Sequence, residues 1–312
     1  MDYETENQTI ETPETQPPKK DSLLPARILI SSIILAGAWV YTTGLKANIA
    51  PKEIAANTEQ SVSALEESVL PSDGVTLPVV WGDLGAKLIS TGAIDTDKFK
   101  AVYEQRGEFS DEYGKLLLGQ NPDKLKITKE NAGYLLNLFW ALGLASNNPV
   151  LNDEMKDPRY GGAQNFASTA GWTLAQGDPM DHYSKHKFFN LTPEQQALVD
   201  KVSRGIYRPC CGNSTHFPDC NHGMAMLGLL QLMASQGASE QDMWDAALAV
   251  NSYWFPDTYL TIATYMKNKN VDWKDADPQE MLGVNFSSAS GYKKILSQVT
   301  SPIQKNSGGC GV

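Results

Sequence analysis

The hydrophobic pattern opens with a long run that contains no charged side chain, Ile28 to Leu45 (ILISSIILAGAWVYTTGL). Its eighteen residues, wound as a helix, would rise about 27 Å, close to the depth of a bilayer core. Leu23 and Leu24 extend the run, Arg27 is placed to snorkel, and Trp39 and Tyr41 fall where an interfacial aromatic belt lies. Residues 23–45 are therefore predicted to be a transmembrane anchor, with a buried core helix as the alternative. The region before the run is long and acidic, and no clear A-x-A site follows it, which argues against a cleaved signal peptide.

Residues 46–76 are polar and read as a stalk. Lys52 to Leu70 has helical composition, and Pro71-Ser72-Asp73-Gly74 ends it with turn chemistry. A folded domain is predicted over 77–300, and its apolar spacing is helical. Asp95 caps a run with Phe99, Val102 and Tyr103. Thr128 precedes Ala132 to Leu144, apolar on nearly every side. Thr192-Pro193-Glu194-Gln195 is a capping box with proline at the first helical position. Ser239 with Asp242, and Asp277-Pro278-Gln279-Glu280, repeat that logic. Sustained alternation bounded by hairpin turns is missing. The predicted fold class is all-α: one N-terminal transmembrane helix and a helical extracytoplasmic domain. Irregular glycine-rich loops are expected between 145 and 180, at Gly161, Gly162, Gly171 and Gly177. Residues 301–312 are expected to form a flexible tail.

Composition sharpens this outline. The net charge of −10 and the absence of a basic face argue against nucleic acid as a partner. Residues 1–22 hold six acids against two lysines and almost no large apolar side chain, so they are expected to be a disordered acidic tail. Lys19, Lys20 and Arg27 precede the apolar run, against Lys46 and Lys52 after it. That bias orients the N-terminus to the cytoplasm and the main domain outside it.

The candidate chemistry is concentrated. Of four cysteines and four histidines in the chain, Cys210, Cys211, Cys220, His216 and His222 fall in one short stretch. The stretch ends at the mouth of an apolar helix, where unpaired N–H groups favour a thiolate. Three readings follow. Thiolate and imidazole together suit zinc, and thiolate also suits copper(I). An even cysteine number outside the cytoplasm also suits disulfides, with Cys310 as one partner. Cys220 could instead be a reactive thiol. His182 and His186 stand four apart after Asp178-Pro179, so a helix over 180–188 would put both on one face, and a fold back onto 210–222 would make them further ligands. Met224, Met226 and Met233 read as core fillers, with thioether ligands to copper as the alternative. The aromatic turn Tyr253 to Asp257 reads as corner packing between two helices, with a binding lip as the alternative.

The order Arg208-Pro209-Cys210-Cys211-Gly212, then Cys220-Asn221-His222-Gly223, a helix, and Ser235 to Glu240 opening a second helix resembles the PCYCGC-motif extracytoplasmic lipoproteins. It is also similar to the thiol subunit of cytochrome c maturation. The resemblance covers about residues 208–256, and the chain departs from it in having neither C-x-C nor C-x2-C. What it implies is a membrane-tethered extracytoplasmic protein that uses cysteines for metal or redox work. The leading expectation is a soft-metal site, zinc or copper, built from Cys210, Cys211, Cys220 and His222, with His216, His182 and His186 in reserve. A disulfide-stapled scaffold and a thiol-disulfide oxidoreductase are the alternatives.

Overall fold

The computed structural model describes residues 62–299. The acidic tail, the apolar run Ile28–Leu45, the first part of the stalk and the tail with Cys310 lie outside the described residues. Among the described residues no helix is long and apolar enough to cross a membrane.

Helix α1 (62–69) comes first, and Val69 and Leu70 at its end are buried in the core. The packed unit thus includes residues expected to be stalk. The turn that follows closes with Gly74 N–H donating to Pro71 O at 2.9 Å, and Gly74 takes a φ of 79° that a side chain would strain. The chain continues through β1 (Val75–Gly82), α2 (Leu84–Ser90), α3 (Thr96–Glu104), α4 (Asp111–Leu118) and β2 (Asn121–Ile127).

These strands correct the all-α expectation: the domain is largely helical but carries a two-stranded antiparallel sheet. Leu77, Val79 and Trp81 face inward from β1, with Leu125 and Ile127 from β2, so period-2 alternation was present. No hairpin turn announces it, because three helices separate the strands. The register breaks between Thr76 and Val80 and between Val80 and Gly82. Pro78 lies in the first break. Pro122, on β2 beside Asn121, accompanies the second. Neither proline has an N–H to give the ladder.

Helix α5 (Ala132–Ala145) runs through the middle of the core. Short turns and α6 (Ala167–Ala170) lead to α7 (Pro193–Gly205), then α8 (Asn221–Ser235), α9 (Glu240–Trp254), α10 (Pro256–Asn268), α11 (Pro278–Leu282), α12 (Val284–Ser287) and α13 (Ala289–Leu296). Caps form where the sequence placed them. The Asp95 carboxylate accepts from Asp97 N and Lys98 N, and capping boxes form at Thr192–Gln195 and Ser239–Asp242. Each satisfies backbone donors that the first turn leaves open.

The α5–α8 contact positions everything near the cysteines. Both helices are buried around nearly their whole circumference. They meet backbone to backbone: a Cβ on Gly143 would lie 1.9 Å from Met224 O, and one on Gly228 would lie 2.3 Å from Phe139 O. Met224, Met226 and Met233 are all fully buried beside this crossing, as core packing requires.

One expected helix is absent. Asp178 caps a single turn, Pro179–Asp181, and the chain then leaves helical geometry, with Ser184 at a φ of 54°. The cause is tertiary. The last carbonyls of α5 need donors, and Ser184 N–H and His186 N–H supply them, to Leu144 O and Ala145 O, each at 2.8 Å. Capping α5 displaces the local helix over 180–188.

Two glycines of α5 should respond in opposite senses to alanine. Gly143→Ala forces the crossing apart and should cost about 3 kcal/mol or more, whereas exposed Gly133, with nothing within 4 Å of a built Cβ, should gain about 0.5 kcal/mol. Urea denaturation midpoints measure both, and equal shifts would contradict the described crossing.

Candidate metal centre

The cysteine loop joins α7 to α8 and is pinned along its length. Tyr207 pairs with Ser214 in an isolated bridge, Thr215 N–H donates to Ile206 O at 2.8 Å, and His216 N–H donates to Ser203 O at 3.0 Å. The C-terminal helices clamp it from outside: Tyr207 N–H donates to Leu282 O at 2.8 Å, and Cys211 O accepts from Ala289 N–H at 3.0 Å. The far end is fixed by α8, whose position the glycine crossing sets.

This framework brings three sulfurs together. The Sγ atoms of Cys210, Cys211 and Cys220 all lie within 4.8 Å of one another, and Cys210 and Cys220 are 3.6 Å apart. All three are free thiols, with Cys210 exposed and the other two partly buried. For comparison, sulfurs bound at about 2.3 Å to a tetrahedral zinc lie about 3.8 Å apart. The donor set is soft and the spacing is close to what a thiolate-bound metal needs.

Arg208 is the residue that the sequence reading passed over. Its side chain has 0% exposure. It lies flat on the first turn of α8, where a Cβ on Gly223 would come within 2.7 Å of the guanidinium carbon. Nε donates to Cys220 Sγ at 3.2 Å. Nη2 donates to Asp219 Oδ1 at 2.9 Å and to Phe217 O at 3.4 Å, while Nη1 is buried without a hydrogen-bond partner. Asp219 turns its other oxygen to Asn213 Nδ2 at 2.7 Å and so ties the guanidinium to the loop. The available signal was positional: Arg208 stands two residues before Cys210, and Asp219 directly before Cys220.

The electrostatics separate the three thiols. The Cys220 thiol is held well below its ordinary value by hydrogen bonds from Cys210 and then Cys211. Arg208 and a hydrogen bond from His222 add to this, and burial opposes it. Cys210 is pushed up by its bonds to Cys211 and Cys220, so the proton stays there. The expected helix-end effect takes a different form. Cys220 is the N-cap residue of α8, yet its side chain accepts no helical N–H. The neighbouring thiols and Arg208 supply what the cap does not.

The histidines are distributed more widely. His222 lies beside Cys220, and its ring packs on Phe255 at 4.3 Å and near Trp254 at 5.7 Å between centroids. The aromatic turn is therefore a wall of the site as well as a helix corner. His216 turns to α7, with Nδ1 3.3 Å from Ser203 Oγ and 3.4 Å from Asp200 Oδ1. His182 and His186 pair with each other at 3.1 Å, and His182 Nε2 also meets Gln176 O at 2.8 Å. Among the described residues, only the three cysteines converge as a group of donors.

Fold and site together define a largely helical domain with a three-cysteine cluster at the mouth of its central helix pair. Comparison of the chain with family models, curated proteins and solved structures finds no match. Its chemistry is therefore read from the site alone.

Two outcomes follow. In metal-free protein, Arg208→Gln should raise the pH at which Cys220 loses its proton, because it removes one of the groups that favour the thiolate, with Arg208→Lys in between. Thiolate ultraviolet absorbance against pH reads this, and an unmoved midpoint in both variants would contradict the pairing. Separately, burial lowers the pKa of His216 and of His186, so the folded chain resists a proton that the unfolded chain accepts. The stability they contribute is complete above about pH 6.5 and is lost as pH falls below it. His216→Gln should flatten that slope in denaturation midpoints.

Proposed function

We propose that this protein binds one soft metal ion, zinc or copper(I), through Cys210, Cys211 and Cys220, with His222 as the adjacent imidazole. The observation that carries the reading is the convergence of three free sulfurs within 4.8 Å, one of which, Cys220, accepts from a buried guanidinium. A metal thiolate keeps negative charge on Cys220, and Arg208 needs that charge because Asp219 is its one anionic carboxylate partner. Coordination would also tie the loop to α8 and couple affinity to folding.

The 3.6 Å approach of Cys210 to Cys220 supports a second reading, a disulfide-stapled scaffold. It ranks behind the first because a disulfide makes Cys220 neutral and leaves the Arg208 Nε facing no charge. A thiol-disulfide oxidoreductase fits less well. Such chemistry needs an accessible thiolate, and here the exposed sulfur is the protonated one.

The same proposal places the site outside the cytoplasm on a single membrane anchor. Its support is the charge-free run Ile28–Leu45 and the basic residues before it.

One preparation tests both parts. Full-length chain extracted from membranes with detergent, without chelator, should carry about one equivalent of zinc or copper by elemental analysis. Cys220→Ser should lose it, with affinity down at least a hundredfold. Metal-free protein with a Cys210–Cys220 crosslink by mass spectrometry would establish the scaffold instead, and recovery in the soluble fraction would remove the anchor.

A further inference from the structure

We infer that the three-cysteine centre is built for exchange: it passes its metal to an incoming soft donor, and Cys210 is the ligand that leaves. The inference rests on the metal reading above and goes beyond it by assigning a transfer step.

Three observations carry it. The first is the donor count. Three sulfurs converge among the described residues, and His222, hydrogen-bonded to Cys220, does not place a ring nitrogen within 4.8 Å of all three, so the trio is not closed by a fourth protein donor in this arrangement. A structural zinc site is closed by four protein ligands, whereas a site that does chemistry keeps a position open. The second is unequal anchoring. Cys220 is held by Arg208 and continues directly into α8. Cys211 is held through its carbonyl by Ala289 and through its N–H to Arg208 O at 3.4 Å. Cys210 sits in a surface turn, is exposed, and directs its thiol to the other two sulfurs. The third is space. Gly212, immediately after the cysteine pair, is exposed and has nothing within 4 Å of a built Cβ. Cys210 and Gly212 are exposed, while Arg208, Gly223 and the first turn of α8 are buried.

The step is a ligand exchange with no change of oxidation state. The incoming donor, a thiol or an aromatic nitrogen chelate, places a lone pair on the metal at the open position. The Cys210–metal bond then breaks. When the donor is a thiol, its proton passes to the Cys210 sulfur; when it is a nitrogen chelate, Cys210 leaves as a thiolate and takes its proton from water, so charge and atoms balance in both cases. Cys211 and Cys220 hold the metal until a second donor atom arrives. The acceptor class is therefore a soft, multidentate ligand such as a dithiol, and transfer is associative.

Stopped-flow release tests this on the full chain loaded with copper(I) or, in parallel, with zinc(II). The acceptors are bathocuproine disulfonate for copper and pyridylazoresorcinol for zinc. The release rate should rise in proportion to chelator over at least a tenfold concentration range. Brief alkylation with iodoacetamide during release, with each cysteine's rate divided by its own rate in metal-free protein, should give a value for Cys210 at least tenfold above those for Cys211 and Cys220, as read by mass spectrometry, with all three protected before chelator is added. Cys310→Ser should release at the wild-type rate. A rate independent of chelator, equal labelling of the three cysteines, or tenfold faster release from Cys310→Ser would each overturn the exchange reading while leaving metal binding intact. A chain that takes up neither metal would instead overturn the metal reading itself.

Discussion

A guanidinium with no solvent exposure lies against the first turn of α8, and the arrangement of the site follows from the need to balance it. The N-terminal end of a helix is itself positive, so Arg208 adds charge where charge of the same sign already stands. Burial of an ion without a counter-charge costs several kcal/mol. Asp219 meets one edge of the guanidinium and Cys220 meets another. The surroundings of Cys220 thus favour its thiolate before any ligand arrives.

The balance depends in turn on close helix packing. Arg208 can lie flat because residue 223 is glycine, and α8 can bring that residue to the loop because Gly143 and Gly228 let two backbones touch. A side chain at either glycine would clash with the facing backbone and force the two helices apart. The apolar character of α5 and α8 supplies the burial that holds the crossing shut, and the glycines decide where it occurs. The site therefore combines a buried floor with a loop whose Cys210 and Gly212 are exposed.

The polar termini of α5 show the same economy at its other end. Its final carbonyls draw in Ser184 and His186, which fixes an irregular segment against the core and brings His182 and His186 into contact. That pair owes its geometry to helix capping, and it stands outside the group of converging sulfurs.

The chain alone determined the helical character of the domain. Asp95, Thr192, Ser239 and Asp277 cap where local chemistry dictates, because a cap involves residues only a few positions apart. The cysteine cluster was legible for a similar reason: its members crowd into one stretch of sequence. Tertiary structure decided the rest. The β1–β2 pairing joins strands far apart in the chain, with no turn to signal it, and the helix over 180–188 gave way to long-range bonds from α5. The sequence also placed Arg208 near the cysteines without showing its role. Whether an arginine points to water or lies buried against a helix end depends on a glycine fifteen residues later and on the packing of two helices. Such contacts are settled by three-dimensional proximity, which a local pattern does not encode.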